Sequence, residues 1–274
     1  MPSAVFLGRV LAIAGSDSGG GAGIQADIKT VTALGGYAAT AITAVTDQDT
    51  QSIHGVHSVP PSFVASQIST VLNDLGADVI KIGMLGSEEV INAVADVLAM
   101  HADFPLVVDP VMVSKGGHRL ISEDAVGELK RRLISNSTLV TPNLPEAEIL
   151  TGIEIKTLSD MYASIDRLRG LGADAVLLKG GHVEGDTLVD LLITNDRVDK
   201  FQGHRIASTS THGTGCTLAS AIATGLAQGL SLNDSVSRAR LYVVRAIETA
   251  PKYGQGHGPL NHGHTINSSA RWAW

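Results

Sequence analysis

The chain has 274 residues, of which 44% are hydrophobic and 17% charged, a balance that suits one large α/β domain better than two small ones. The formal net charge of -7, the 4% aromatic content and the lack of any Lys/Arg cluster argue against nucleic acid as a partner. A single cysteine excludes an intrachain disulfide and a multi-cysteine zinc site, and we expect a cytoplasmic protein. No run of about 18 apolar residues predicts a membrane span. Because Arg9 interrupts the apolar start, no signal peptide is expected.

Short runs typical of strands alternate with helical periodicity along the chain. We predict strands at Val10–Ala14, Tyr37–Val45, Val79–Ile82, Leu106–Val108, Thr138–Val140, Ala175–Lys179, Leu188–Ile193 and Arg205–Ser208. We predict helices at Ile24–Leu34, Pro61–Leu75, Glu88–Met100, Glu123–Ile134, Glu146–Thr151, Leu158–Leu171, Thr214–Ala227 and Leu232–Ala250. This alternation predicts an α/β fold, a three-layer α/β/α sandwich with a mostly parallel central sheet. We expect one domain over residues 1–274, with a mobile tail at about 265–274.

The glycine-rich run Thr211–Thr217 opens a predicted helix and contains the only cysteine, Cys216. Thr214 is expected to be the N-cap of that helix, and Gly229 its stop. The backbone N–H groups of residues Gly213 to Cys216 would then be unpaired and would favour an anion, above all a phosphate. The same field is expected to lower the pKa of Cys216 toward a usable thiolate. A plain helix cap with a buried, inert cysteine is the alternative that this run leaves open.

Polar motifs follow five of the predicted strands. They are Gly15–Gly23, Lys81–Met84, Asp109–Met112, Thr141–Asn143 and Lys179–His182. In folds of this kind the ligand lies outside the carboxyl ends of the strands, so five motifs on one rim predict a site there. The 15–23 loop lacks the Gly-Lys-Ser/Thr ending of a Walker A motif. We therefore expect a tight turn whose backbone N–H groups contact a small polar ligand.

Four charged side chains are candidates for this site. Asp27, one helical turn beyond the glycine loop, is expected to face the pocket, unless it lies on a solvated face. Asp109 and Glu146 offer hard oxygen ligands for Mg²⁺, directly or through water. Glu146 at a helix start is also stabilised by the helix dipole without any function, and Lys179 is either a phosphate neutraliser or an ordinary surface lysine. The histidines after residue 254 are not expected to bind zinc, since no His-Glu-x-x-His helix exists.

Together these motifs resemble those of the hydroxymethylpyrimidine/phosphomethylpyrimidine kinases of thiamine biosynthesis, within the ribokinase-like superfamily. The resemblance runs from Val10 to His264. It is carried by Ala14–Asp27, Lys81–Leu85, Asp109–Met112, Thr141–Ala147, Lys179–His182, Thr211–Thr217 and Gly256–Pro259. It implies a single-domain ribokinase-like fold, usually a homodimer, that uses Mg²⁺ to move the γ-phosphate of ATP to a hydroxymethyl group. It also implies a second phosphorylation, from the monophosphate to the diphosphate.

The resemblance further implies roles for individual residues. The pyrimidine site would be lined by Gly15, Asp27, Gln48, Met84 and Val111. The anion hole would be formed by Gly213, Thr214 and Gly215, with Cys216 as the general base. The Mg²⁺–phosphate region would use Asp109 and Glu146, and the nucleotide would be contacted by Lys179, Asn143 and Thr211. Such roles suit phosphoryl transfer, which needs an aligned hydroxyl, stabilised charge and a proton acceptor.

The chain departs from the family pattern around the glutamine, where Ala-Gln-Asn-Thr is replaced by Asp47-Gln48-Asp49-Thr50. Two carboxylates that face the pocket would alter the substrate preference, whereas two that point to solvent would change nothing. Other hypotheses are a kinase for pyridoxal, pyridoxine or pyridoxamine, and a binding protein without catalysis. A further one is an enzyme with Cys216 as nucleophile and His212 as base, although no partner that would orient His212 is evident. A requirement for a monovalent cation stays open.

Overall fold

The structure, a computed structural model, describes residues 7–101, 104–112, 121–181 and 185–266. Its strands are β1 (Arg9–Asp17), β2 (Tyr37–Gln48), β3 (Ile53–Ser58), β4 (Val79–Ile82), β5 (Leu106–Val108), β6 (Leu139–Val140), β7 (Ala175–Lys179), β8 (Thr187–Thr194) and β9 (Val198–His204). Its α-helices are α1 (Gly23–Ala33), α2 (Pro61–Asp74), α3 (Glu88–Ala99), α4 (Glu123–Arg132), α5 (Leu144–Thr151), α6 (Leu158–Ala163), α7 (Ile165–Arg169), α8 (Thr214–Ala227) and α9 (Leu232–Glu248). Within these residues, no helix combines the length and apolar character needed to cross a membrane.

The described strands form one sheet in the order β3-β2-β1-β4-β5-β6-β7-β8-β9. The strands from β2 to β7 in this order pair in parallel, while β3, β8 and β9 are antiparallel to their neighbours. Helices connect the parallel strands, as right-handed crossovers require. This topology confirms the predicted α/β fold.

Alternating side chains of the central strands supply two hydrophobic layers. Leu11 and Ile13 of β1 pack with the helices α2 to α7, whereas Val10 packs with α1, α8 and α9. In β4, Val79 joins the second layer and Ile80 the first. Both faces of the sheet are therefore covered, which is the predicted three-layer sandwich.

Two predicted elements differ from the structure, and one strand was not predicted. The strand expected at Arg205–Ser208 is wrong: the last strand is β9, which hairpin pairing with β8 fixes in register. The helix expected at Leu158–Leu171 is divided at Ser164, whose hydroxyl donates to the carbonyl of Met161 (2.8 Å) and competes with helical bonding. Strand β3 was not predicted, because as an exposed edge strand it shows no alternation of apolar residues. The predicted mobile tail lies, from residue 267 on, outside the described residues.

Candidate active site

A cavity of about 190 Å³ opens beyond the carboxyl ends of the central strands. All the site residues predicted from the sequence line it, except Asp27 and Thr211. Further lining residues come from the predicted glycine loop and the run before α8: Ser16, Asp17, Ala22, Gly23 and His212. Thr46 and Ile53 also line the cavity and were not predicted. His182, the last residue of one predicted motif, lies outside the described residues.

The start of α8 forms one wall of the cavity. Its N-cap is Gly213, with φ 80°, and a β-carbon there would collide with the carbonyl oxygen of Gly21. The prediction of Thr214 as N-cap is wrong, because its hydroxyl donates to the carbonyl of Thr211 (2.7 Å) in the preceding turn. Within the described part of the chain, the backbone N–H groups of residues 215 and 216 have no acceptor. The expectation of free N–H groups therefore holds for these two residues but not for Thr214, whose N–H donates to the carbonyl of Thr211 (3.4 Å). Free N–H groups at a helix start favour an anion, and this start of α8 is called the anion cradle below.

Asp17 organises the neighbouring glycine loop. Its carboxylate accepts hydrogen bonds from the backbone N–H groups of Gly19 (2.8 Å), Gly21 (3.0 Å) and Ala22 (2.8 Å), and from Nε2 of His212 (2.9 Å). The expectation that these N–H groups contact a ligand is wrong, because Asp17 uses them. Burial raises the pKa of Asp17, but the bonds from His212 and Ala22 outweigh burial and hold it below its usual range. An Asp followed by Ser-Gly-Gly-Gly is a turn signal that could have revealed this role.

The end of β1 and the loop after β4 contact each other and together form one wall of the cavity, called the ring slot below. At Gly15 a β-carbon would lie 2.6 Å from Cε of Met84, so only glycine allows the thioether to approach this closely. Val111 lines the same cavity. A soft thioether beside bare backbone suits a planar ring.

Gln48 presents its amide to the cavity. The hydroxyl of Thr46 donates to its Oε1 (3.1 Å), and its Nε2 lies 3.4 Å from Nε2 of His212. Because a carboxylate can only accept, the proton on His212 Nε2 goes to Asp17 and leaves no acceptor for the amide there. The N–H groups of Gln48 are thus available to a ligand. Asp17 is also the orienting partner that His212 lacked in the sequence, but no described hydrogen bond joins His212 to Cys216.

Asp109, Glu146 and Lys179 form a charged cluster beneath the anion cradle. Lys179 Nζ lies 3.0 Å from Asp109 Oδ1 and 4.0 Å from Glu146 Oε2. Thr141 donates to the same Asp109 oxygen (3.1 Å), while Oδ2 faces Gly215, where a β-carbon would lie 3.3 Å away. Burial raises the pKa of Glu146 to about 7, because the attraction of Lys179 offsets only part of the cost of burying a carboxylate near Asp109.

The donor set of this cluster was tested against Mg²⁺. Among the described residues, no three His, Cys, Asp or Glu side chains form a metal cage. Mg²⁺ usually retains waters and binds through one or two carboxylates together with substrate phosphates. Asp109 and Glu146 fit an ion of that kind. Glu146 also has the structural role left open by the sequence, since it forms a capping box with Asn143, the N-cap of α5.

Cys216 borders the cavity at the first turn of α8. Burial raises the pKa of its thiol to about 11, and Asp27 and Asp109 add to this effect, although Lys81 acts in the opposite direction. The prediction of a lowered pKa is therefore wrong for the free protein. Its resting state at neutral pH is the thiol.

Four polar residues near the site do not line the cavity. Asp27 is fully buried behind it and forms an ion pair with Lys81, which corrects its expected contact with substrate. Thr211 contributes its carbonyl to the turn before α8. Asp49 accepts bonds from the turn residues 51 and 52 and from His54, and Asp47 is exposed. The two additional carboxylates therefore leave the pocket unchanged.

Comparisons with known proteins agree with this geometry. The ADP complex of pyridoxal kinase from Bacillus subtilis superposes with a TM-score of 0.88 at 32% identity, covering 95% of this chain and 99% of that one. The sheet, its helices and the rim cavity therefore define a ribokinase-like small-molecule kinase.

The chain belongs to the phosphomethylpyrimidine kinase family, whose profile matches residues 17–261. The bifunctional thiamine biosynthesis protein ThiED of Geobacter sulfurreducens is 52% identical over 255 residues, or 93% of this chain, which spans about half (52%) of that protein. The hydroxymethylpyrimidine/phosphomethylpyrimidine kinase of Rhizobium meliloti is 45% identical over 257 residues, 93% of this chain and 96% of that protein. The predicted kinase of thiamine biosynthesis is thereby confirmed at the level of the family.

Proposed function

We propose that the protein transfers the γ-phosphate of ATP to 4-amino-5-hydroxymethyl-2-methylpyrimidine and then phosphorylates the monophosphate to the diphosphate. The observation that carries this proposal is one cavity in which a ring slot adjoins an anion cradle and a cationic lysine. In the proposed complex the ring lies against the wall formed by Gly15 and Met84, and the amide of Gln48 reads its polar edge. The hydroxymethyl group then points toward the start of α8.

Each charged group of the cluster has a defined part in the transfer. The proposed nucleotide contacts are Lys179, Asn143 and the turn at Thr211. Mg²⁺, when bound with ATP, neutralises phosphate charge, and Asp109 and Glu146 would hold it, directly or through water. The free N–H groups at the start of α8 stabilise charge on the transferring phosphoryl group.

Cys216 is the proposed proton acceptor. The thiol of Cys216 first loses its proton to solvent. The hydroxyl oxygen then bonds to the γ-phosphorus while the bond from that phosphorus to the ADP oxygen breaks, and the hydroxyl proton moves to the thiolate sulfur. Removing a general base lowers turnover by about 10²-fold or more. We therefore expect Cys216→Ala to fold normally and to lose turnover to this extent, with Cys216→Ser as the conservative variant. Near-normal turnover of the alanine variant would remove Cys216 from this role.

To identify the acceptor, ADP release is measured with MgATP and each of three compounds at matched concentrations. The compounds are hydroxymethylpyrimidine, its monophosphate and pyridoxal. Pyridoxal also carries a hydroxymethyl group and is the substrate named for the Bacillus subtilis protein. The pyrimidine kinases are the more similar relatives, at 45% and 52% identity against 32%. We expect turnover with both pyrimidines, and turnover dominated by pyridoxal would overturn the assignment.

A cytoplasmic homodimer is also part of the proposal. A kinase that consumes ATP operates where ATP is supplied. The edge of the sheet exposes Val56 (52%) on β3, and the adjacent α2 exposes Phe63 (60%). Exposed apolar side chains beside an unpaired edge strand favour association. Light scattering on the purified protein tests this, and a monomer at micromolar concentration would contradict it.

A further inference from the structure

A completely buried ion pair lies behind the reactive wall of the cavity. Lys81 Nζ donates to both carboxylate oxygens of Asp27, at 2.8 and 2.9 Å, and the hydroxyl of Ser220 donates to Oδ1 at 2.7 Å. The relative exposure of all three side chains is 0%. They come from β4, α1 and α8, so the contact joins the sheet to both helices that border the glycine loop and the anion cradle.

The pair binds α8 one helical turn beyond Cys216. Ser220 follows Cys216 by four residues in α8, and residues four apart lie on the same face of a helix. The carboxylate that receives the Ser220 hydroxyl is therefore one helical turn beneath Cys216. Burying two charges costs desolvation free energy that their mutual attraction often does not recover. A buried ion pair at this position therefore calls for an explanation beyond packing.

We propose that Lys81 and Asp27 are positioning residues for Cys216, a buried ion pair that anchors the N-terminal half of α8 and sets the net charge facing the sulfur. This rests on the proposed role of Cys216 as proton acceptor. The sulfur must be a thiolate when it takes the hydroxyl proton. Lys81 is the buried cation that offsets its charge, and Asp27 moderates Lys81 so that the thiolate is not permanent.

Four charged groups act on the sulfur, each from a different element. Lys81 on β4 lowers the pKa of Cys216, while Asp27 on α1 and Asp109 after β5 raise it, and Lys81 has the largest effect of the three. Lys179 on β7 is the fourth group and is also coupled electrostatically to the sulfur. Burial acts to lower the pKa of Lys81, but Asp27, Cys216 and Asp109 outweigh it, so Lys81 stays charged. Cys216 and Asp109 also support the charge of Lys81. We therefore expect removal of Asp27 alone to favour the thiolate, and removal of both partners to disfavour it.

The single cysteine makes this testable without any activity assay. Thiol alkylation of the full-length, ligand-free protein by iodoacetamide occurs at Cys216, the single cysteine of the sequence, and its rate against pH reports the thiolate fraction. An unneutralised charge within a few ångströms shifts a pKa by about one unit or more. We expect Asp27→Asn to react about tenfold faster than the unmodified protein at a fixed mildly alkaline pH. The Lys81→Met/Asp27→Asn double variant is expected to react more slowly than the unmodified protein.

Two controls separate charge from structure. Asp78→Asn breaks an ion pair with Arg9 at the opposite end of the strands β1 and β4, where the side chains are 23% (Asp78) and 46% (Arg9) exposed. This variant is expected to leave the alkylation profile unchanged. Ser220→Ala removes a hydrogen bond without altering charge and is expected to keep the profile close to normal. Circular dichroism establishes that each variant is folded. If Asp27→Asn does not fold, the test rests on the alkylation rate of the Lys81→Met/Asp27→Asn double variant, which leaves no unpaired charge at positions 81 and 27 in the interior.

Identical alkylation profiles for all folded variants would overturn the proposal and leave the pair a purely structural feature. Faster alkylation of the double variant would overturn it as well. Turnover is measured in parallel: loss of kcat at nearly constant KM is expected in the double variant, because the acceptor slot is untouched. If Cys216→Ala retains turnover while the alkylation profiles still shift as expected, the proposed base has failed and the electrostatic coupling stands. The two failures are therefore distinguishable.

Discussion

Asp17→Asn is expected to destabilise the glycine loop and the anion cradle together. One carboxylate oxygen accepts from Gly19, and the other accepts from Gly21, Ala22 and His212. An amide has a single acceptor oxygen, so in either orientation its NH₂ group faces at least one N–H donor. The smallest loss is one hydrogen bond to a charged acceptor together with an unsatisfied donor, and each contributes about 1.5 kcal/mol or more. We expect the free energy of unfolding at neutral pH to fall by about 3 kcal/mol.

The pH dependence gives this prediction a second, independent check. Because the pKa of Asp17 is lowered in the folded state, its contribution is fully present above the ordinary aspartate pKa of about 3.9. It is lost as the pH falls through the lower, folded-state value. Urea unfolding followed by circular dichroism should therefore show a difference between the two proteins that is constant near neutrality and shrinks in acid. Asp47→Asn, at an exposed position, is the matched control.

Equal stability of Asp17→Asn and the unmodified protein at neutral pH would refute the reasoning from hydrogen bonds. A difference that persists unchanged in strong acid would refute the assignment of the charge. Either result would mean that the loop is held by other contacts. The Asp47→Asn control must remain within about 0.5 kcal/mol of the unmodified protein, as exposed substitutions generally do.

Two further predictions concern the cavity wall, and a third concerns an exposed carboxylate near it. Gly213→Ala introduces a β-carbon at φ 80° and against the carbonyl of Gly21, so we expect a loss of about 1–2 kcal/mol from backbone strain and a larger fall in turnover, measured by thermal unfolding and ADP release. Glu146→Gln removes a buried acid whose pKa is raised to about 7. Ionisation of such an acid destabilises the folded protein as the pH rises toward that value. Above it, the ligand-free variant should therefore be more stable than the unmodified protein, but it should be less active. Chemical unfolding across pH tests the first part, and a variant less stable in alkali would contradict it. Asp47→Asn is expected to change the KM for the acceptor by less than about twofold, and a larger change would place this carboxylate in the pocket.

Periodicity predicted most of the fold, because buried parallel strands and amphipathic helices leave clear patterns. The bounds of β4, β5, β7 and α8 coincide with the predicted ones. The failures lie where tertiary contacts decide. Strand β3 pairs only with β2 at an edge, and its side chains are mostly solvent-facing, so no apolar alternation is required of it. A single buried hydroxyl, that of Ser164, divides the predicted helix into α6 and α7.

The site was predicted as a set of residues but not as a set of contacts. Sequence spacing places Asp27 one turn into α1, and the resemblance assigned it to the pyrimidine, yet neither says which neighbour the carboxylate meets. That depends on Lys81, 54 residues away, which shares a face of β4 with Val79 and so points into the layer of α1 and α8. A signal for this contact is present in the sequence. Val79-Ile80-Lys81-Ile82 is apolar except for one lysine, and a lysine within a buried strand requires a carboxylate partner in the helix layer that it faces. This rule points to Asp27, the only acidic side chain within α1. Asp27 therefore lies in the buried layer that supports Cys216 and not on the surface of the substrate pocket.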